Sequence, residues 1–224
     1  MKPLNYLLLA TTILTFSCKQ EVRSLESISF SKVNVYHDFI AEGIAVADVN
    51  KDGQQDLLAG SFWFEAPHWK AHEMREPRLF DHTKEWSDAC FSFSRDVDQD
   101  GWMDWIRVGF PGKPVLWYRN PQGEEQHWEA FLIDSAACNE SPLFVDVDDD
   151  GRQDLVFGNE KTREMFWFQP PEKGSGTAWK KLAISITGAP GTKRFSHGLG
   201  LGDVNGDGRK DILIRQGWWE APED

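Results

Sequence analysis

Four nine-residue segments place acidic and amide side chains at alternate positions around a glycine. They read Asp48-Val-Asn-Lys-Asp-Gly-Gln-Gln-Asp56, Asp96-Val-Asp-Gln-Asp-Gly-Trp-Met-Asp104, Asp146-Val-Asp-Asp-Asp-Gly-Arg-Gln-Asp154 and Asp203-Val-Asn-Gly-Asp-Gly-Arg-Lys-Asp211. Each fits D-x-[DN]-x-D-G-x-x-D. Side-chain oxygens at positions one, three, five and nine converge when the chain turns sharply at the position-six glycine, where φ is free to be positive. A cluster of hard oxygen donors of that kind suits a hard divalent cation, and Ca²⁺ is the natural occupant because it takes about six to eight oxygens at flexible geometry. The spacing is not that of an EF-hand, which needs a bidentate Glu at position twelve between two helices. The bland alternative is a set of Asp-rich turns closed by side-chain to backbone hydrogen bonds.

The elements that must position these loops repeat with them. The first Asp of each loop follows the previous one by 48, 50 and 57 residues, a period that suits a propeller or an array of several short strands per unit. A second motif travels with the loop: Trp63-Phe-Glu-Ala-Pro67, Trp117-Tyr-Arg-Asn-Pro121, Trp167-Phe-Gln-Pro170 and Trp218-Trp-Glu-Ala-Pro222. A third element, beginning at Trp69, Trp128 and Trp179, follows in the first three units. The runs Leu57–Ala59, Trp105–Val108, Leu155–Phe157 and Ile212–Ile214 are short and largely apolar, and Gly, Pro and Asn separate them. No stretch after the leader holds helical periodicity. The expectation is an all-β chain with about four strands per unit, in which most of the 11 tryptophans serve packing.

The loops together with the W-aromatic-x-x-P motif resemble the FG-GAP/VCBS repeat family, whose members include the blades of integrin α-chain propellers and many bacterial surface proteins. The resemblance covers roughly residues 30 to 222. It implies a β-propeller of about four blades and a Ca²⁺ site in each loop. The implied ligands are Asp48, Asn50, Asp52 and Asp56; Asp96, Asp98, Asp100 and Asp104; Asp146, Asp148, Asp150 and Asp154; and Asp203, Asn205, Asp207 and Asp211. Backbone carbonyls at Gln54, Trp102, Arg152 and Arg209 complete the implied sets.

Two closures are open. The fourth unit stops at Asp224 without a final strand, and Phe30–His37 looks like that strand, which would complete a closed four-blade ring with no free edge. The family's propellers usually have seven blades, which points instead to a partial, truncated propeller forming an open arc.

Residues 1–17 read as a secretory leader, with Lys2 followed by an apolar run too short to span a bilayer. Ser17-Cys18 resembles a bacterial lipobox, so cleavage before Cys18 and its lipidation would leave residues 18–29 as a tether and 30–224 as the repeats. The implied location is exported and membrane-anchored, at the outer membrane or cell surface. Export permits a disulfide between Cys90 and Cys138; two separate buried thiols are the alternative. The formal net charge is −12, and four bound Ca²⁺ would bring it to −4. The acidity is therefore a cation requirement, and no basic patch or motif points to nucleic acid.

Six residues before each loop stand Glu42, Cys90, Glu140 and His197. At the mouth of a propeller channel these four would form a possible ligand site for a transition metal or polar molecule. No nucleophile elbow, phosphate loop or CxxC motif is present, so no residue is assigned a catalytic role. The reading that follows is a calcium-binding surface module for a protein or glycan partner. The alternative is a metal-dependent carbohydrate-active enzyme of lyase or isomerase type, or a fragment of one, since the blades are also similar to the propeller of aldos-2-ulose dehydratase.

Overall fold

The computed structural model describes residues 29–223. The leader, Cys18 and almost all of the tether lie outside them. The chain divides into residues 1–34 and 35–224, and the fifteen strands among the described residues all lie in the second part. No described segment forms a helix long and apolar enough to cross a membrane.

The strands fall into the expected repeats. The first holds β1 (Ala45–Ala47), β2 (Asp56–Ala59), β3 (Phe62–Glu65) and β4 (Lys70–Glu73). The second holds β5 (Phe91–Arg95), β6 (Asp104–Val108), β7 (Lys113–Arg119) and β8 (Glu129–Ala137). The third holds β9 (Leu143–Val145), β10 (Asp154–Asn159), β11 (Glu164–Gln169) and β12 (Lys180–Ala183), and the fourth β13 (Gly200–Gly202), β14 (Asp211–Ile214) and β15 (Gly217–Trp219). Each repeat is an antiparallel meander; the second and third join into one sheet where Asn159 of β10 pairs with Ala137 of β8. The acidic loop always links the first strand to the second, and its position-nine Asp opens the second strand.

The register repeats as well. Leu58 faces Trp63, Ile106 faces Trp117, Val156 faces Trp167 and Leu213 faces Trp218. Because side chains alternate along a strand, each such pair lies on one face of its sheet. In the first three repeats that face packs into the next repeat. Leu58 and Trp63 meet Trp105 and Tyr118; Ile106 and Trp117 meet Leu155 and Phe168; Val156 and Trp167 meet Ile212 and Trp219. The third-element tryptophans Trp128 and Trp179 fill the same interfaces. The central strands β6 and β10 are buried along their whole length because a sheet covers each side.

One expectation is corrected here and one open alternative decided. Residues 30–37 form no strand, and the fourth sheet has three strands. Tyr36, within that segment, packs on Phe62 and Phe64 of β3, at 5.4 and 5.5 Å between ring centroids. With Ile40 it covers the outer face of the first sheet. Cys90 and Cys138 are free thiols. They sit at different junctions: the Cys90 carbonyl lies against Gly43 of the first repeat, while the Cys138 N–H donates to Gly158 of the third.

Candidate metal centres

The four loops share one hydrogen-bonded frame. In the first, Asp48 Oδ1 accepts the Asp52 N–H at 3.0 Å and Oδ2 accepts the Gly53 N–H at 3.0 Å. Asp96 does the same for Asp100 and Gly101, at 3.0 and 2.9 Å, and Asp203 for Asp207 and Gly208, at 3.2 and 2.9 Å. The position-six glycines have φ of +87°, +92°, +84° and +88°, and beyond the adjoining residues no heavy atom lies within 4 Å of where a Cβ would stand on Gly53, Gly151 or Gly208. Backbone conformation, not space, therefore requires glycine there. Position four is left-handed too, and Lys51, Gln99 and Asp149 occupy it at +62°, +61° and +62°.

The third loop departs from this frame at one atom. Asp146 Oδ2 accepts the Gly151 N–H at 2.9 Å, while Asp146 Oδ1 is buried with no hydrogen-bond partner. An orphaned buried carboxylate oxygen is costly unless a cation or water meets it.

Positions one, three and nine are the ones that converge. Ligand atoms of Asp96, Asp98 and Asp104 lie within 4.8 Å of one another, as do those of Asp146, Asp148 and Asp154. In the outer loops position three is Asn50 or Asn205, so the equivalent trio there contains two carboxylates and an amide. These donor sets are all oxygen and fit a hard divalent cation. Position five is more committed: Asp52, Asp100, Asp150 and Asp207 each accept through Oδ1 the N–H of position seven, from Gln54, Trp102, Arg152 and Arg209, at 2.8, 2.8, 2.7 and 2.8 Å.

Position nine ties the loop to the tryptophan motif. Asp104 Oδ2 accepts the Val97 N–H at 3.0 Å and Oδ1 the Asn120 N–H at 2.8 Å. Asp56 does so with Val49 and Ala66, both at 2.9 Å, and Asp211 with Val204 and Ala221, both at 2.9 Å. The second donor is always the residue three places after the motif tryptophan. In the third repeat that residue is Pro170, which has no N–H, and Asp154 keeps the bond from Val147 at 3.1 Å. This link is why the two motifs travel together, and the constant order loop-then-Trp was its only trace in the sequence.

The family model described as FG-GAP-like repeat matches residues 96–157 and 146–214, together more than half of the chain. The chain belongs to the FG-GAP-like repeat family. Both matched stretches open on the first Asp of an acidic loop, so the FG-GAP-like unit runs from one loop into the strand after the next. No curated protein sequence matches the chain.

Electrostatics within the FG-GAP-like loops follow from burial. Burial pushes Asp104 up to about 8, against the N–H bonds from Asn120 and Val97 that favour its charge. It pushes Asp154 up to about 6 against the bond from Val147. Burial also raises Asp56, and burial together with the nearby charge of Asp100 raises Asp98. Carboxylates that resist ionising together are what a divalent cation relieves.

Consecutive loops touch. Lys51 Nζ stands 4.0 Å from the centroid of the Trp102 ring. Arg95 Nη1 donates to Gln153 Oε1 at 2.8 Å, and Lys210 Nζ to the Asp146 carbonyl at 2.8 Å. The arginines at position seven also reach the chain after the motif: Arg152 to the Pro170 carbonyl at 2.9 Å and Arg209 to the Ala221 carbonyl at 3.2 Å.

The set Glu42, Cys90, Glu140 and His197 is placed in two pairs. Glu42 accepts the Ser87 N–H at 3.0 Å, and Cys90 Sγ lies 3.9 Å from the Ser87 carbonyl. Burial first, then the charge of Glu42, pushes the Cys90 thiol up to about 12, which makes it a poor metal ligand. The Glu140 N–H donates to the carbonyl of Ser196, the neighbour of His197, at 2.9 Å. Among the described residues, three-ligand convergence occurs in the second and third acidic loops and not in this set.

Proposed function

We propose that the protein is a calcium-stabilised binding module whose repeats are four β-propeller blades in an open arc. Calcium fills the acidic loops, and a protein or glycan at the cell surface is the partner. The observation that carries the calcium reading is Asp146: its Oδ1 is buried without a partner, and the residue offers a carboxylate oxygen within 4.8 Å of oxygens of Asp148 and Asp154. Supporting the blade reading are the identical register in four repeats and the face-to-face packing of each repeat on the next. The open arc is supported by the first sheet's cover of Tyr36 and Ile40, which occupy the face a further repeat would need. Lipidation at Cys18 would hold the module at the membrane, where calcium is millimolar and modest affinity suffices.

Titration calorimetry of the metal-stripped chain tests this directly: four calcium ions per chain are expected. At free calcium of about 100 times Kd each site contributes about 2.7 kcal/mol, so chelation is expected to lower Tm by about 5–10 °C per emptied site. No calcium heat and an unchanged melt would remove the reading. Mass spectrometry of the membrane-fraction protein is expected to show an acylated N-terminal Cys18, and an unmodified mature N-terminus would remove the anchor.

A further inference from the structure

One residue outside each nine-residue loop touches the loop's third position in all four repeats. It stands two places after the motif tryptophan. Glu65 Oε1 accepts from Asn50 Nδ2 at 3.2 Å, and Glu220 Oε1 accepts from Asn205 Nδ2 at 2.9 Å. In the middle repeats the chemistry is reversed: Gln169 Nε2 donates to Asp148 Oδ2 at 2.7 Å, and Arg119 Nη1 lies 3.8 Å from Asp98 Oδ2.

The pattern is complementary. Asparagine at position three meets a glutamate, and aspartate meets a donor. At positions one, three, five and nine, loops one and four each have one carboxylate fewer than loops two and three, and those are the two loops where the partner brings a carboxylate. The partner also orients the amide. With Nδ2 directed to Glu65, Asn50 turns Oδ1 into the loop, where it accepts the Asp52 N–H at 3.1 Å. Asn205 Oδ1 accepts the Asp207 N–H at 3.1 Å in the same way. Glu65 is itself held from its other oxygen, which pairs with His72 Nε2 at 2.9 Å, and His72 stacks on Trp63 with centroids 4.2 Å apart.

We propose that the residue two places after each tryptophan is the outer partner of the loop's cation site, and that Glu65 and Glu220 restore the charge that Asn50 and Asn205 leave out. These glutamates are positioning residues: they fix the amide oxygen toward the loop and add a negative charge beside it. The proposal rests on the calcium reading above. Its physical basis is that site affinity for calcium follows the number of negative charges around it.

The test uses the full chain, stripped of metal and titrated with CaCl₂ in the calorimeter. Glu65→Gln with Glu220→Gln keeps an acceptor oxygen for each asparagine and removes the charge; at position 65 the new amide nitrogen faces His72 Nε2, which accepts from it as a neutral imidazole. Two of the four sites are expected to weaken by about tenfold, with the other two unchanged. Adding Asn50→Asp and Asn205→Asp to that variant recreates twice the Asp148–Gln169 pair of the third repeat, and is expected to bring both sites back. Unchanged affinity in the glutamine variant overturns the proposal. So does a loss that the added aspartates fail to reverse, since the glutamates would then be structural only. A wild-type chain that takes up no calcium removes the calcium reading itself, an outcome distinct from either.

Discussion

The second and fourth repeats carry the same loop, the same strand register and the same buried position-nine carboxylate with two N–H donors, yet they end in different surroundings. In the second, Trp117 and Ile106 are completely buried under the third repeat, whereas Trp218, in the equivalent place of the fourth, is 39% exposed. The comparison separates two sources of order. Loop closure and hairpin register are properties of one repeat. Burial of the tryptophan face is a property of the neighbour.

The largest effect that sharpens this comparison is at the tryptophans. Trp117→Ala is expected to cost about 3–5 kcal/mol because it opens a cavity between two repeats. Trp218→Ala, on a face that no described repeat covers, is expected to cost less than about 1 kcal/mol. Denaturant unfolding of the two variants measures the difference, and equal losses would break the comparison.

A second contrast lies three residues after each position-nine Asp. The second repeat has Arg107 there and the fourth has Ile214. Arg107 is nearly buried and lies 3.1 Å from Asp88, which also takes Arg75 at 2.6 Å and Arg78 at 3.5 Å. Burial alone would raise Asp88, but the hydrogen bond from Arg75 and the charges of Arg107, Arg75 and Arg78 outweigh it and hold it below the usual carboxylate range. Asp88→Asn leaves buried guanidinium charge uncompensated and is expected to cost about 3 kcal/mol. The pH dependence has a definite sign. A carboxylate whose pKa is lower folded than unfolded contributes fully above the ordinary carboxylate range, and that contribution is lost as pH falls through it to the folded value. The variant is therefore expected to close its stability gap with wild type in acid. A gap that stays constant down to acid unfolding would count against the ion cluster.

A smaller effect probes what the two repeats share. Asp104→Asn and Asp211→Asn each put an NH₂ group where a carboxylate accepts two backbone N–H bonds, and each is expected to cost about 1–3 kcal/mol. Hydrogen exchange should show the Asn120 amide losing protection in one variant and the Ala221 amide in the other. Protection unchanged at both would mean that the staple does not couple loop to motif.

Much of this was legible in the residues because the repeats are local. The alternation of apolar runs with Gly and Pro gave four strands per unit, and the position-six glycines marked turns that have positive φ. What depended on contacts across the chain was not legible. The strand expected at Phe30–His37 failed because Tyr36 found Phe62 and Phe64 of the first sheet, a choice that periodicity does not record. The partnership of Asn50 with Glu65, or of Asp148 with Gln169, joins an acidic loop to the end of a strand that folding brings against it. That Cys90 and Cys138 sit at different junctions was equally invisible to residue spacing.

The proposed function stands on a cation held in the acidic loop of each repeat. The most direct measurement is anomalous scattering from crystals grown in calcium. A calcium peak is expected in each loop, with carboxylate oxygens of Asp96, Asp98 and Asp104 and of Asp146, Asp148 and Asp154 at about 2.3–2.6 Å from it. Well-ordered loops with no peak at millimolar calcium, and an Asp146 oxygen facing only protein or water, would contradict it.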